Sequence, residues 1–384
     1  MWRSLASNML TILVVGLFLS AGVVLWGQSQ YTTAGPLDEA ICLRVQSGAN
    51  MSSVSRSLED QGAVSSAAIF RLGAQYSDKS GLLKAGNFLV QPGSTMREIV
   101  DQITRGGAST CGSEIIYRVG VTRVLAEIRE LDPATQKFVE LAEFQPATDE
   151  APEAYTQKRG QADTEYRISV AEGVTNWQIA EALKLIDVLD GEIGELPEEG
   201  RLAPDSYDVT EDTSRADLIA QMQSRQDQRI ATAWDARQVG LPLQSPEEML
   251  ILASIIEKET GLPEERGQVA SVFVNRLEQG MKLQTDPTVI YGVTKGQAPL
   301  GRGLRRSELR RATPWNTYLI DGLPPTPIAN PGLASLESAV APDSTDFVFF
   351  VADGTGGHAF AETLQEHNRN VAKWREIEAQ RQNN

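Results

Sequence analysis

This 384-residue sequence has few of the side chains that build metal, phosphate or nucleic-acid sites. Two histidines and two cysteines are too few for zinc-ribbon, iron–sulfur or multi-histidine centres, so we expect no metal and no cofactor. The GxxxxGK[S/T] run of P-loop NTPases is absent. Basic residues number 35 against 51 acidic ones, and the net charge of −16 argues against a nucleic-acid-binding protein. Chemistry must come mainly from carboxylates, amides and hydroxyls.

Long apolar runs are also missing, except near the N-terminus. Met9–Trp26 is mostly apolar and, at about 1.5 Å of rise per residue, just long enough to span a bilayer. Arg3 precedes this run and acidic residues follow it, so the positive-inside rule predicts a cytoplasmic N-terminus and an exported segment at 28–384. The alternative is a cleaved signal peptide, but the n-region is weak and no cleavage site is clear. We expect an uncleaved single-pass anchor in the inner (plasma) membrane.

The two cysteines, Cys42 and Cys111, fall in the exported part of the chain. An oxidising compartment permits a disulfide between them, and they bracket one predicted module. Two isolated buried thiols are the alternative. We expect the bridge.

An internal repeat organises the first part of the exported segment. Each copy begins with a valine, has glycine or aspartate three residues later, and has apolar residues nine and thirteen residues after the valine. The four valines are Val45, Val90, Val170 and Val209. Each copy predicts a strand, a tight turn and the start of a helix. Two copies per module predict two small α+β modules, separated by a loop or linker rich in Ala, Pro, Glu, Gln and Thr at Phe144–Asp163.

A buried helix is predicted after residue 240. Ser245, Pro246 and Glu248 have the order of a helix start, with a cap, a proline at the first position and a glutamate reaching back. Met249–Ile256 is apolar except for Ser254, a pattern that predicts burial on nearly every side.

Two carboxylates, Glu257 and Glu259, close this helix. Residues two apart point about 200° from each other on a helix, so the two cannot face one cleft. The negative end of the helix dipole and partial burial both favour the protonated acid, which a general acid requires. The alternative for either residue is a solvated charge in the last turn.

Several motifs follow one another in the C-terminal half of the chain. They are Ala253–Thr260 (ASIIEKET), Val269–Leu277 (VASVFVNRL), Leu283–Gly292 (LQTDPTVIYG), Asn316–Tyr318 (NTY), Gly322–Pro325 (GLPP) and Phe350–His358 (FVADGTGGH). In this order they resemble the endolytic murein transglycosylase, or YceG-like, family. The resemblance is close over about 166–375 and poor over 113–165. It also includes the anchor and a membrane-proximal LysM-like module.

This resemblance implies a function and a catalytic residue. Glu259, the glutamate before threonine, is expected to protonate the bond between N-acetylmuramic acid and N-acetylglucosamine. It then takes the proton of the muramic C6 hydroxyl, which attacks its own ring and leaves a 1,6-anhydro end. Glu257 would be supporting. The expected partners are peptidoglycan glycan strands, the plasma membrane and peptidoglycan synthases. The alternatives are a non-catalytic peptidoglycan-binding scaffold and a muramidase that hydrolyses with water.

Other polar residues in the motifs are candidates for substrate binding, or else hold the fold. Asp286 could bind sugar, orient Glu259, or form an Asx turn before Pro287. His358 could lie beside the cleft at the end of a glycine-rich turn, but it is not expected to bind metal. The remaining candidates carry amide or phenol groups and are Gln284, Tyr291, Asn316 and Tyr318.

A basic cluster stands out in this acidic sequence. It could meet peptide carboxylates of peptidoglycan, anionic lipid headgroups, or only solvent on a helix face. Its members are Arg302, Arg305, Arg306, Arg310 and Arg311.

The predicted fold class is α+β, with a single transmembrane helix, a LysM-like module, a second small α+β module and a core containing the helix of Glu259. The expected segments are a cytoplasmic N-terminus at 1–8, a transmembrane helix at 9–26, the LysM-like module at 28–112, a connector with a flexible loop at 113–165, the second module at 166–239, the catalytic core at 240–376 and a polar tail at 377–384.

Overall fold

The computed structural model describes residues 2–46, 48–105, 109–132, 135, 137–161 and 163–382. Met1, the first residue of the expected cytoplasmic segment, lies outside the described residues. So do residues 383–384, the last two of the expected polar tail. Helices and strands are mixed along the chain, as an α+β fold requires.

The helices follow the sequence in this order: α1 (Trp2–Thr32), α2 (Met51–Asp60), α3 (Ala67–Tyr76), α4 (Met96–Arg105), α5 (Glu153–Lys158), α6 (Asn176–Leu185), α7 (Arg215–Asp235), α8 (Pro246–Glu259), α9 (Arg266–Glu278), α10 (Asp286–Thr294), α11 (Arg306–Leu309), α12 (Leu333–Val340) and α13 (Leu364–Gln382). A 3₁₀ turn covers Pro263–Glu265. The strands are β1 (Ile41–Val45), β2 (Gly86–Val90), β3 (Ser113–Val119), β4 (Val124–Asp132), β5 (Lys137–Phe144), β6 (Thr164–Val170), β7 (Ser206–Val209), β8 (Phe349–Ala352) and β9 (His358–Ala361).

Contacts divide the chain into two compact units. Unit 1 comprises Met1–Ile115, Ile128–Ala142 and Pro152–Glu165, and unit 2 comprises Ile116–Glu127, Glu143–Ala151 and Tyr166–Asn384.

In unit 1, β1 and β2 pair antiparallel, with Leu43 opposite Phe88. The helices α2, α3 and α4 pack on this pair, and Leu58, Phe70 and Ile99 are fully buried in the core. Each strand is followed by a turn and a helix, as the repeat predicts. A disulfide joins Cys42 on β1 to Cys111, 69 positions away, and this is the pairing that the sequence suggested.

Helix α1 is longer than the expected transmembrane segment at 9–26. Its residues Leu13–Thr32 are long and apolar enough to cross a membrane, and their side chains are almost all exposed. Near its end, Tyr31 is buried against Gly73 of α3. The end of the apolar helix is therefore fixed to the first module.

The segment 113–165, expected to be a connector with a flexible loop, contains strands in the structure. It forms β3, β4 and β5, which belong to a five-stranded sheet of order β5-β4-β3-β6-β7. Ile115, Ile116 and Ile128 of these strands are buried, so the segment supplies core rather than only linking two modules. The loop expected at Phe144–Asp163 contains α5, with Tyr155 buried.

In unit 2, β6 pairs antiparallel with β7, and their turns lead into α6 and α7. The core of the C-terminal part forms where α8 packs against α7, α9 and α12. Residues 249–256 of α8 are all buried. Ser254, the one polar residue among them, donates its hydroxyl to Ile251 O at 2.7 Å and accepts from Ile328 N at 3.0 Å. Burial on every side is thus achieved without an unsatisfied hydroxyl.

The C-terminal helix also departs from expectation. We predicted a helix at about 361–376 and a polar tail at 377–384, but α13 continues to Gln382. The last turns are rich in Glu, Gln, Ala and Arg, which are strong helix formers. Ile377 packs against Gly354, and Arg381 donates to the carbonyl of the same glycine. Residues 377–382 are therefore part of the fold.

Candidate active site

Glu259 is the last residue of α8, and the sequence explains why the helix runs to it. Ser245 caps the start by accepting from Glu248 N, and Pro246 occupies the first turn. Thr260 is extended and ends the helix. Because 249–256 are buried, the last turn presents its carboxylates at the edge of the core.

The Glu259 carboxylate is partly buried and has one close partner. Thr285 donates its hydroxyl to Glu259 Oε1. Burial raises the pKa of Glu259 to about 7, and the negative charge of Asp286 acts in the same direction. The bond from Thr285 lowers this pKa, as do the nearby positive charges of His358 and Arg276. A carboxyl with this pKa can give up and take back a proton near neutral pH.

Two loops hold Thr285 in place. Its N–H donates to Thr317 Oγ1 at 3.1 Å, and the N–H of Gln284 donates to Thr317 O at 3.2 Å. The hydroxyls of Thr288 and Thr317 are 2.8 Å apart. Gln284 has φ of +47°, a left-handed conformation that is uncommon for residues other than glycine and is enriched at functional sites. The backbone turn at Gln284 aims Thr285 at Glu259.

Asp286 begins α10 and lies directly after Thr285. Its exposed carboxylate accepts the phenol hydroxyl of Tyr318 at 2.7 Å. Burial, followed by this bond to Asp286, raises the pKa of Tyr318. Tyr318 therefore remains a hydrogen-bond donor at every physiological pH, and the carboxylate has a fixed orientation.

Arg276, on α9, binds the backbone just before Gln284. Its Nε donates to Val348 O at 2.7 Å and its Nη1 donates to Leu283 O at 2.6 Å. The guanidinium is buried. It joins the chain before β8 to the residue before Gln284, so both stay close to α9.

His358 is the first residue of β9 and is held by Glu265 through two bonds. Its N–H donates to Glu265 Oε1 and its Nδ1 lies 2.8 Å from Glu265 Oε2. The edge of the ring packs against Phe350, with ring centroids 5.2 Å apart. Nε2 is the ring nitrogen left for other contacts.

Glu257 serves a different part of the fold. Its Oε2 accepts from Gly332 N at 3.0 Å and from the Ser335 hydroxyl at 2.7 Å, which satisfies the first turn of α12. The carboxylates of Glu257 and Glu259 therefore contact different neighbours, as the helix geometry predicts.

Two of the expected substrate-binding residues, Asn316 and Tyr291, have partners within the fold. Asn316 is fully buried. Its Nδ2 donates to the carbonyls of Leu309 and Arg311, and its Oδ1 accepts from Tyr318 N. Both polar atoms of the amide therefore have partners within the fold. Tyr291 donates its hydroxyl to Glu199 at 3.2 Å and packs on Trp315.

The sequence reasoning missed several residues that shape the site. Thr285 and Glu265 contact named candidates, and Arg276 binds the backbone just before Gln284, but none of the three was itself proposed. Thr285 was inside a quoted motif, next to Asp286, and its position was the available signal. Arg276 was also inside a quoted motif, Val269–Leu277. Nothing local marks Glu265, whose partner His358 is 93 positions away. Among the described residues, no three His, Cys, Asp or Glu side chains are grouped to hold a metal ion.

Comparison with known proteins shows which families, sequences and solved structures this chain is similar to. The YceG-like family model matches residues 43–373. An endolytic murein transglycosylase of Bacillus subtilis is 30% identical over 335 residues, which cover 86% of this chain and 84% of that protein. An endolytic murein transglycosylase of Streptococcus pneumoniae is 27% identical over 95% of this chain, which spans 64% of its length. A solved structure of a YceG-like protein of Listeria monocytogenes is 26% identical, covers 87% of this chain and 99% of its own, and has a TM-score of 0.46.

Proposed function

This chain belongs to the YceG-like family, and on that premise we propose that it is a lytic transglycosylase that cleaves the glycan strands of peptidoglycan internally. The names of its relatives support the substrate class. The observation that carries the proposal for this chain is Glu259. Its carboxyl ends a buried helix, accepts the Thr285 hydroxyl, and has a pKa of about 7.

In the proposed mechanism, Glu259 performs both proton transfers. It enters the reaction protonated and gives its proton to the oxygen between N-acetylmuramic acid and N-acetylglucosamine as that bond breaks. The resulting carboxylate then removes the proton of the muramic C6 hydroxyl, whose oxygen attacks C1 of the same ring. The product is a 1,6-anhydro end, and Glu259 is protonated again. A pKa near neutrality suits a group that must be acid and then base.

The intramolecular nucleophile removes the need for a bound water and a second catalytic carboxylate. Its rate advantage comes from proximity, because the hydroxyl is part of the ring it attacks. Asp286 is the carboxylate whose charge acts on Glu259, and a hydrolytic muramidase would use it to activate water. Its bond to Tyr318 supports a role in binding and orientation instead.

We assign the exposed polar groups beside Glu259 to substrate binding. Gln284 and Asp286 are exposed at the start of α10, where they can meet sugar hydroxyl and N-acetyl groups. Tyr318 orients Asp286, and His358 offers Nε2 because Glu265 holds Nδ1. Asn316 and Tyr291 are left out of this group, since their polar atoms serve the fold.

The location we propose is the inner (plasma) membrane, with a cytoplasmic N-terminus and the rest of the chain outside. The exposed apolar side chains of α1 support a single membrane-spanning helix. The module at 28–112, with its strand–helix–helix–strand order and antiparallel pair, is proposed as a LysM-like glycan-binding module. Peptidoglycan synthases are the proposed protein partners, because their nascent strands emerge at the same membrane.

Digestion of uncrosslinked glycan strands tests this proposal. We expect the full-length chain to shorten long strands to intermediate lengths from the earliest time points, since cleavage is internal. Release of only terminal disaccharides would contradict internal cleavage. Intact strands that co-sediment with the protein would support the non-catalytic scaffold. The anchor is tested by carbonate washing of membranes, which should leave the full-length chain in the pellet.

A further inference from the structure

A set of basic side chains in the C-terminal half of the chain has no role in the mechanism above. The segment 295–311 contains six Lys or Arg residues and one carboxylate, Glu308, in a chain of net charge −16. Arg302 holds Glu308 with two bonds of 2.6 and 2.9 Å. The side chains of Lys295, Arg306, Arg310 and Arg311 are exposed, and none of these four forms an ion pair with a described residue. We call these four residues the cationic patch.

The patch residues lie on or just after α10 and α11, and these two helices contact each other. Lys295 is in the left-handed conformation at the end of α10, and its Nζ lies 3.3 Å from the centre of the Trp315 ring. Desolvation, and after it the positive charge of Arg311, lowers the pKa of Lys295. The like charges of Lys295 and Arg311 repel each other. An anion that binds both residues is attracted by both charges and relieves this repulsion.

The patch is connected to Glu259 by a short series of hydrogen bonds. Asn316 Nδ2 donates to Arg311 O at 2.8 Å, and Tyr318 N donates to Asn316 Oδ1 at 3.0 Å. The Tyr318 hydroxyl donates to Asp286 at 2.7 Å, and Asp286 follows Thr285, the donor to Glu259. Because Asn316 is fully buried, this connection is rigid. The backbone at Arg311 is therefore fixed relative to the loop that contains Thr285 and Asp286.

Resting on the proposed function, we propose that the cationic patch binds the carboxylates of the peptides carried by the glycan strand. The sugars of a peptide-bearing strand are uncharged, so its anionic groups are those of its peptides. Arginine is well suited to them, because its planar fork donates two parallel bonds to a carboxylate. The patch would thus make the enzyme prefer strands whose peptides still carry free carboxylates. An anionic membrane surface is the competing ligand, and the link to Glu259 favours the substrate.

The test compares two matched substrates and two matched variants. The substrates are uncrosslinked peptide-bearing strands and the same strands with their peptide carboxylates converted to amides by carbodiimide and ammonia. The first variant is Arg306→Gln/Arg310→Gln/Arg311→Gln, which keeps the backbone carbonyls that Asn316 uses. The control is Lys373→Gln/Arg375→Gln, which removes exposed charges from α13. All proteins are full length and reconstituted in phosphatidylcholine vesicles.

For the wild type, amidation should raise KM about tenfold, the effect expected of a few exposed ion pairs acting together, with kcat within about twofold. The triple variant should have this higher KM on untreated strands and show no further change on amidated ones. The control should behave as the wild type. Equal losses on both substrates, or no loss on either, would overturn the proposal. A loss that appears only when the vesicles contain phosphatidylglycerol would assign the patch to lipid and overturn it as well.

Binding separates this proposal from the proposed function. Glu259→Gln protein should bind untreated strands about tenfold more tightly than amidated ones, and the triple variant in the same background should not distinguish them. If the wild type cleaves neither substrate but this difference in binding is present, the transglycosylase function fails and the patch stands. If cleavage is present without a difference in binding, the patch fails and the function stands.

Discussion

Thr285 donates its side-chain hydroxyl to the carboxylate of Glu259, 26 positions earlier in the chain. This bond stabilises the charged form of Glu259 and so opposes the burial that raises its pKa to about 7. Asp286, the next residue, has the opposite effect because its negative charge disfavours a second one nearby. Two adjacent residues at the start of α10 therefore have opposite effects on the pKa of the proposed catalytic acid.

Replacing Thr285 with valine should raise the pKa of Glu259 further. A general acid must be protonated in the free enzyme, so kcat/KM falls above the pKa of Glu259. In Thr285→Val this alkaline limb should move to higher pH, and Thr285→Ser should restore it. Both are measured from the pH dependence of kcat/KM on glycan strands.

Asp286→Asn is the matched control, and it should shift the pKa of Glu259 in the opposite direction. It removes a negative charge and keeps an oxygen that can accept from Tyr318, so the alkaline limb should move to lower pH. Shifts in the same direction in Thr285→Val and Asp286→Asn would contradict the electrostatic account.

Stability should depend on pH through Glu259. Its pKa rises from 4.5 to about 7 on folding, so the folded state binds the proton more tightly than the unfolded state. The associated stability is present below about pH 4.5 and is lost as pH rises through 7, by about 3 kcal/mol at most. Glu259→Gln carries no charge to bury, so its melting temperature should exceed that of the wild type at pH 8 and equal it at pH 4.5. Glu264→Gln, an exposed neighbour, should show no such trend.

Glu257 should matter for stability and little for the chemical step. Glu257→Ala leaves Gly332 N and the Ser335 hydroxyl without their acceptor, which should cost about 1–2 kcal/mol. Since Ser335→Ala removes the same contact, the double variant should be less destabilised than the sum of the single ones. Thermal unfolding measures this. A loss of kcat in Glu257→Ala comparable with that of Glu259→Gln would show that the wrong glutamate has been assigned.

Reduction of the Cys42–Cys111 disulfide should loosen the module at 28–112. The bridge closes a loop of 69 positions, and the chain-entropy relation gives about 4 kcal/mol for a loop of this length. Hydrogen exchange of β1, β2 and α4 should accelerate in dithiothreitol, while Glu259, far along the chain, should still cleave short glycans. Unchanged exchange after complete reduction would contradict this expectation.

The sequence predicted the elements whose signals are local. The repeat placed β1, β2, β6 and β7 and the helices after them, because a valine, a turn residue and an apolar spacing of nine and thirteen lie within one short window. The capping residues at Ser245 and the apolar run at 249–256 likewise gave the start and the burial of α8.

The three strands of the supposed connector were missed for a physical reason. Their stability comes from pairing within a five-stranded sheet, and pairing partners are distant in sequence. The composition of Phe144–Asp163 predicted a loop or linker, and no local pattern marked Ile115, Ile116 and Ile128 as buried strand residues. Strand pairing is a tertiary interaction, and a single sequence contains no direct record of it.

The site shows the same limit. Glu259 could be selected because helix position, burial and family motif coincide at one residue. The roles of Asn316 and Tyr291 could not, since an amide or a phenol looks the same whether it meets a sugar or a backbone carbonyl. Only the structure shows that the Asn316 amide forms hydrogen bonds with Leu309, Arg311 and Tyr318.

The most direct test of the central claim is mass spectrometry of glycan digested in H₂¹⁸O. With wild-type protein we expect new 1,6-anhydro ends without ¹⁸O, because the nucleophile is the C6 hydroxyl of the substrate. Glu259→Gln, folded as judged by circular dichroism, should lose at least about 100-fold of this activity, whereas Glu264→Gln should retain it. Reducing ends that carry ¹⁸O, or anhydro ends formed at the wild-type rate by folded Glu259→Gln, would contradict the account.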